Sequence, residues 1–253
     1  ATSSLNATTN VAFGAGTGNT LNVTWAAVDD LSPTSTPYSG VDVIEISTAP
    51  SDGTLALASF QSGGIATLTL EVAPDAASAV FTGLTAGSTV NIGATDITTP
   101  LTSTNGASFN NAGGTLTYNI NGSDAGNANQ TFTTGAGVTT LTIDAGANVS
   151  TSTFALTGHD NLTSLTISGG KSDQIYTTTV ATADSIVNLD VTNIGINDVT
   201  LSGTGNGADA AIDVDFTAAT NNNKLTLAAT SSLNATTNVA FGAGTGNTLN
   251  VTW

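Results

Sequence analysis

The sequence predicts an all-β protein, and within that class a β-solenoid, parallel β-helix-like, with about 24 residues per coil. Three observations point there. β-Branched residues and turn formers abound, while the residues of exposed helices are nearly missing: two Lys, no Arg and two Glu in 253 residues. Short apolar–polar alternations return at a fixed spacing. Finally, the opening stretch ATSSLNATTNVAFGAGTGNTLNVTW, 1–25, recurs unchanged at 229–253, so that Ala229 is the copy of Ala1.

The alternation begins at Leu21-Asn22-Val23-Thr24-Trp25, the pattern of a half-buried strand. Leu141-x-Ile143, Leu165-x-Ile167 and Leu189-x-Val191 repeat it at steps of 24. Leu201 follows Leu189 by 12, and Leu225-x-Leu227 and Leu249-x-Val251 continue at steps of 24. Leu21, Leu57 and Phe81 fall on the same lattice of twelves, and the shift from Ala1 to Ala229 is 19 times 12. Phe154-x-Leu156, Ile212-x-Val214-x-Phe216 and Val239-x-Phe241 partly fill the gaps. A sandwich or antiparallel barrel also places strands about 8–12 residues apart. A constant step suits a solenoid better, because each coil must stack on the last. Two principal strands per coil are expected, with a rise of about 4.8 Å. Leu, Ile and Val then stack inside in ladders, and Thr, Asn and Asp face out.

The expected organisation has four parts. Residues 1–25 form a solenoid coil, and 229–253 begin the next tandem repeat, so the chain reads as a slice of a tandem array. Residues 116–228 form the solenoid. Residues 26–115 form either a loop excursion or an inserted β-sandwich-like region. Pro33 and Pro37 lie there, and proline removes a ladder hydrogen bond from a central strand. The stretch Phe81-Thr-Gly-Leu-Thr-Ala-Gly-Ser-Thr-Val-Asn-Ile92 resembles the strand–turn–strand signature of fibronectin type III domains, with Val90 in place of the usual Tyr.

Charge excludes several functions. The formal net charge is −16, and no Lys/Arg cluster is present to neutralise phosphates, so no nucleic-acid partner is expected. Anionic membrane surfaces are disfavoured on the same ground. An acidic chain attracts cations, extracellular calcium above all, and scattered acidity also keeps an abundant protein soluble. There is no cysteine, so the fold holds by packing and backbone ladders alone. No apolar run is long enough to form a membrane-spanning helix.

Catalysis finds little support. His159, the only histidine, sits in Thr-Gly-His-Asp-Asn, a turn composition, and no nucleophile-elbow motif accompanies it. Asp213 and Asp215, at i and i+2 on one strand, share a face, as paired carboxylates of a hydrolase would. They also fit ordinary solvation of an acidic surface. The chain is read as no enzyme.

Calcium is the better chemical expectation, since it takes six to eight oxygen ligands from Asp side chains and turn carbonyls. The candidate metal ligands are Asp209, Asp213, Asp215, Asp29, Asp30 and Asp160. Gly205-Asn-Gly207-Ala-Asp209-Ala-Ala211 resembles one degenerate copy of the glycine-rich nonapeptide of RTX proteins, with Thr204 replacing the first Gly. Gly16-Thr-Gly18-Asn19-Thr20-Leu21 and Gly244–Leu249 resemble the same repeat without its Asp. Taken whole, the Thr-, Asn- and Gly-rich, Lys/Arg-poor, cysteine-free composition is similar to bacterial S-layer proteins and giant RTX-type adhesins. That resemblance implies a secreted, calcium-dependent, surface-coating or filament-forming protein. The expected function is therefore a structural repeat unit of an extracellular or cell-surface fibre, matrix or layer, self-associating through adjacent repeats and neighbouring copies. The alternative is an adhesin repeat that binds a cell-surface glycan through 26–64, with Trp25, Tyr38 and Phe60 as the aromatics at hand.

Overall fold

The computed structural model describes residues 11–28, 38–51, 53–57, 61, 64–72, 79–92, 107–111, 114–120, 129–134, 137–146, 152–157, 161–172, 174–180, 186–202, 212–219, 221–228 and 238–251. The strands are β1 (Val11–Ala12), β2 (Thr20–Val23), β3 (Tyr38–Ser39), β4 (Val43–Ile46), β5 (Gly53–Ala56), β6 (Ile65–Leu70) and β7 (Ala79–Ile92). They continue as β8 (Ala107–Asn111), β9 (Gly114–Ile120), β10 (Asn129–Thr134), β11 (Val138–Ala145), β12 (Ser152–Thr157) and β13 (Ser164–Gly169). The last are β14 (Ile175–Val180), β15 (Asn188–Val191), β16 (Ile196–Ser202), β17 (Asp213–Phe216), β18 (Lys224–Ala228), β19 (Asn238–Phe241) and β20 (Thr248–Val251). A short 3-10 turn, Trp25–Ala27, follows β2. No helix of the described residues is long and apolar enough to cross a membrane.

Every strand pairing among the described residues is parallel, and the pairs make two ladders. The first runs β2–β4–β6–β7–β9–β11–β13–β15–β17–β19. The second runs β5–β7–β8–β10–β12–β14–β16–β18–β20. From β4 to β20 the chain visits the ladders alternately, which is a β-solenoid with two principal strands per coil. β1 and β3 form a short parallel pair of their own, and Tyr38 bridges on to Gln61.

The lattice of leucines is the physical spine. Leu141, Leu165 and Leu189 stand in register on adjacent rungs of the first ladder, and Leu225 faces Leu249 on the second. Beside the first column runs a second, Tyr118–Ile143–Ile167–Val191, all fully buried. Burying such a side chain is worth about 1.5–3 kcal/mol. The two columns hold because residues i and i+2 share a strand face and identical rungs repeat the pattern coil after coil. Coil length averages near the expected value but varies. Val180 pairs with Leu201, a step of 21, whereas Thr89 pairs with Thr117, a step of 28.

The reading of 26–115 as excursion or sandwich is corrected for its described part. β4 stacks on β2 with no gap, and β4 to β9 all belong to the two parallel ladders. A sandwich needs antiparallel pairs, and there are none among the described residues. The fibronectin-like stretch is β7, whose first half lies on the second ladder and whose second half lies on the first. Gly83 and Gly87, at φ of 80° and 78°, carry it round the corner between them. A glycine turn between two alternating runs builds a hairpin or a solenoid corner equally well, because alternation carries no information on pairing direction. Residues 29–37, with Pro33 and Pro37, lie outside the described residues.

Candidate functional site

The two copies of the duplicated stretch occupy the two ends of the solenoid, and the apolar interior is only partly covered there. Leu225 is fully buried, whereas Leu249, stacked on it in register, is 44% exposed. Its counterpart Leu21 is half-buried at the other end, as are Phe13 and Phe241, the same residue in the two copies. Phe241 stacks on Phe216 with ring centroids 5.2 Å apart. An end coil that leaves inward leucine in water is an unpartnered surface of large apolar residues.

The strand edges of the two copies are complementary. β2 is paired to β4 above it, with Leu21 facing Ile44. β20, the same sequence, is paired to β18 below it, with Leu249 facing Leu225. Likewise β1 is paired to β3, while β19, which contains the same residues, is paired to β17. Among the described residues, each copy uses the edge that the other leaves unpaired.

An asparagine ladder runs through the corner that enters the second ladder. The backbone N–H of Asn197 donates to Asn223 Oδ1 at 3.1 Å, and that of Asn223 donates to Asn247 Oδ1 at 2.8 Å. Each side-chain amide also closes its own corner. Asn197 Nδ2 donates to the carbonyls of Asn193 and Gly195, and Asn223 Nδ2 to those of Ala219 and Asn221. Asn247 Nδ2 donates to Gly242 and Gly244 at 3.0 and 2.9 Å; Asn19, its copy, donates to Gly14 and Gly16, both at 3.0 Å. The N–H of Asn19 then donates to Asp42 Oδ2 at 2.9 Å. The same residue is thus seen accepting from the coil before it in one copy and donating to the coil after it in the other. Asparagine suits this post because it alone offers an acceptor and two donors on so short a stem. Sequence reasoning missed this ladder. Its signal is an Asn two residues before an inward residue at coil spacing: Asn197 before Val199, Asn223 before Leu225, Asn247 before Leu249.

The predicted metal ligands are only partly placed. Asp213 and Asp215 do face outward on β17, alternating with buried Ile212, Val214 and Phe216. Asp215 stands in register with Asp190 on β15, while Asp213 stands beside Asn188. Asp190 was not singled out from sequence. Partial burial, then the charge of Asp215, raises its carboxyl above the usual value. Hydrogen bonds from the Thr217 hydroxyl and backbone N–H hold Asp215 low; the N–H bond is 2.7 Å. That carboxylate therefore already terminates its own turn. A second outward acid pair lies near the opposite end, where a hydrogen bond with Glu45, followed by partial burial and the Glu45 charge, raises Glu71, and Asn22 counters it. Asp209, Asp29, Asp30 and Asp160 lie outside the described residues. Among the described residues no group of three or more Asp, Glu or His side chains is placed to hold a metal ion.

Of the aromatics named for glycan binding, the two described, Trp25 and Tyr38, are not surface groups. Trp25 is 3% exposed and packs its ring 5.5 Å from that of Phe81, and Tyr38 is equally buried. Phe60 lies outside the described residues. No protein-family model, curated protein or solved structure matches the chain.

Proposed function

We propose that this chain is the repeating unit of a structural tandem array, a secreted fibre, matrix or surface layer, in which each unit's last coil is the first coil of the next. The observation that carries the reading is the asparagine at 19 and 247. Its two copies make the lower and the upper bonds of one continuous corner ladder. Stacking a further unit on β19 and β20 would cover Leu249 and Phe241 and pair the strand edges they leave open, which otherwise invite random pairing. The array needs no reaction and no bound cofactor to do this work; its mechanism is hydrogen bonding and burial along one axis.

Calcium belongs to the proposal as a bridge between arrays. A net charge of −16 per 253 residues opposes close lateral approach, and the Asp190–Asp215 and Glu45–Glu71 pairs put like charges on neighbouring rungs. Divalent cations shared between outward carboxylates of two arrays would relieve that repulsion. Electron microscopy of a chain of several units, with calcium and after EGTA, tests both parts. Each added unit should lengthen a continuous rod by about 46 Å, nine and a half coils at about 4.8 Å each. EGTA should separate laterally associated rods and leave single rods intact. Beads joined by string would overturn the array, and lateral order indifferent to EGTA would remove calcium from the account.

A further inference from the structure

Resting on that reading, the register of the two copies points to an array whose successive units are turned by half a coil. The first ladder has ten rungs from β2 to β19, hence nine whole coils between them. β20, the copy of β2, comes one corner later and pairs with β18 on the second ladder. Leu21-Asn22-Val23 and Leu249-Asn250-Val251 are the same three residues on opposite sides of the solenoid. The shift from Leu21 to Leu249 is therefore nine and a half coils, an odd number of half-coils.

We infer that at every junction the second ladder of one unit becomes the first ladder of the next. The second ladder of one unit, ending in β20, continues as the β2–β4–β6 ladder of the next. The first ladder, ending in β19, continues as the β1–β3 side of the next. The docking surface at the end of a unit accordingly fits a second copy of this chain only when that copy is rotated half a turn about the axis, beyond any twist the coils accumulate.

The consequence reaches the outer surface. Asp190 and Asp215 lie on the first ladder, so each unit shows them on the side opposite to its neighbour's. Any lateral contact made by that face is offered alternately to both flanks of the array. A unit of whole coils would offer it to one flank only and would pair arrays two by two. Nine and a half coils instead let a row of arrays extend sideways in both directions, as a layer or bundle requires.

Engineered disulfides test this without a reporter of overall shape, since the chain has no cysteine of its own. Thr226 and Asn250 are register partners on adjacent rungs, with outward side chains. Parallel neighbours about 4.8 Å apart lie within the Cα range a disulfide spans. In the 253-residue chain, T226C/N250C should close under mild oxidation, seen by mass spectrometry, and D215C/N250C should stay open. In a two-unit chain, Asn250→Cys should also close with Glu45→Cys of the following unit. An open T226C/N250C pair, or a closed D215C/N250C pair, overturns the half-turn whatever becomes of the array. Closure of the first pair with failure of the bond to the following unit overturns the array reading and the alternation with it.

Discussion

Replacing Ile143 by aspartate should cost the solenoid at least about 5 kcal/mol, while Thr142→Asp, one residue away, should stay within about 0.5 kcal/mol of the parent. Ile143 is fully buried between Tyr118 and Ile167 on the neighbouring rungs. Its removal forfeits about 1.5–3 kcal/mol of apolar burial. The carboxylate that takes its place has no cation to meet among the described core residues, which are almost all hydrocarbon. A buried unpaired charge is among the few mechanisms that move stability this far. In a stack where each coil touches only its neighbours, a lesion in the middle also divides the chain into two shorter blocks. Urea unfolding followed by circular dichroism should show two lower transitions, or none, for I143D. A single transition at the parent midpoint would mean that the side chains do not alternate as the ladders require.

Asn223→Ala should be the costliest substitution among the polar residues of the corner, at about 2–4 kcal/mol. The side chain is 1% exposed and serves three neighbours: it accepts from the Asn197 N–H and donates to the Ala219 and Asn221 carbonyls. Alanine leaves those groups buried and unsatisfied, each at about 1–3 kcal/mol before relaxation. Asn188→Ala, at an exposed outward position of β15, is the matched control and should change stability by less than about 0.5 kcal/mol. Chemical denaturation of the two variants side by side decides it. Equal midpoints would reduce the asparagine ladder to a surface decoration.

What the sequence disclosed and what it hid have separate physical causes. The Leu141–Leu165–Leu189 column was visible because successive coils there have equal length, so burial imposes one unbroken period. Thr67 pairs with Thr89 and Thr89 with Thr117, steps of 22 and then 28, and the period dissolves although the ladder does not. The prolines and the Phe81–Ile92 turn then suggested other folds. Outward placement of Asp213 and Asp215 followed from alternation alone. Their neighbour Asp190 did not, because it comes from another coil and only register brings the two acids together. The asparagine corner was hidden for a different reason. In a chain rich in Asn at every turn, a structural Asn looks like a turn former until its partners are known. The change of side between the two copies was already written in the odd multiple of 12 that separates Ala1 from Ala229, but it acquires meaning only when strands are assigned to sides.

Hydrogen exchange at β20 tests the shared coil most directly. A strand inside a parallel ladder bonds to both neighbours through alternate residues, and among the described residues β20 has only β18 beside it. Amides of Thr248–Val251 that face the open edge should exchange quickly there. In a chain that continues through a second full unit they should become as protected as those of β18, because the next β4 supplies the missing partner. Equal, fast exchange in both chains would mean that the duplicated stretch ends one solenoid and does not begin another.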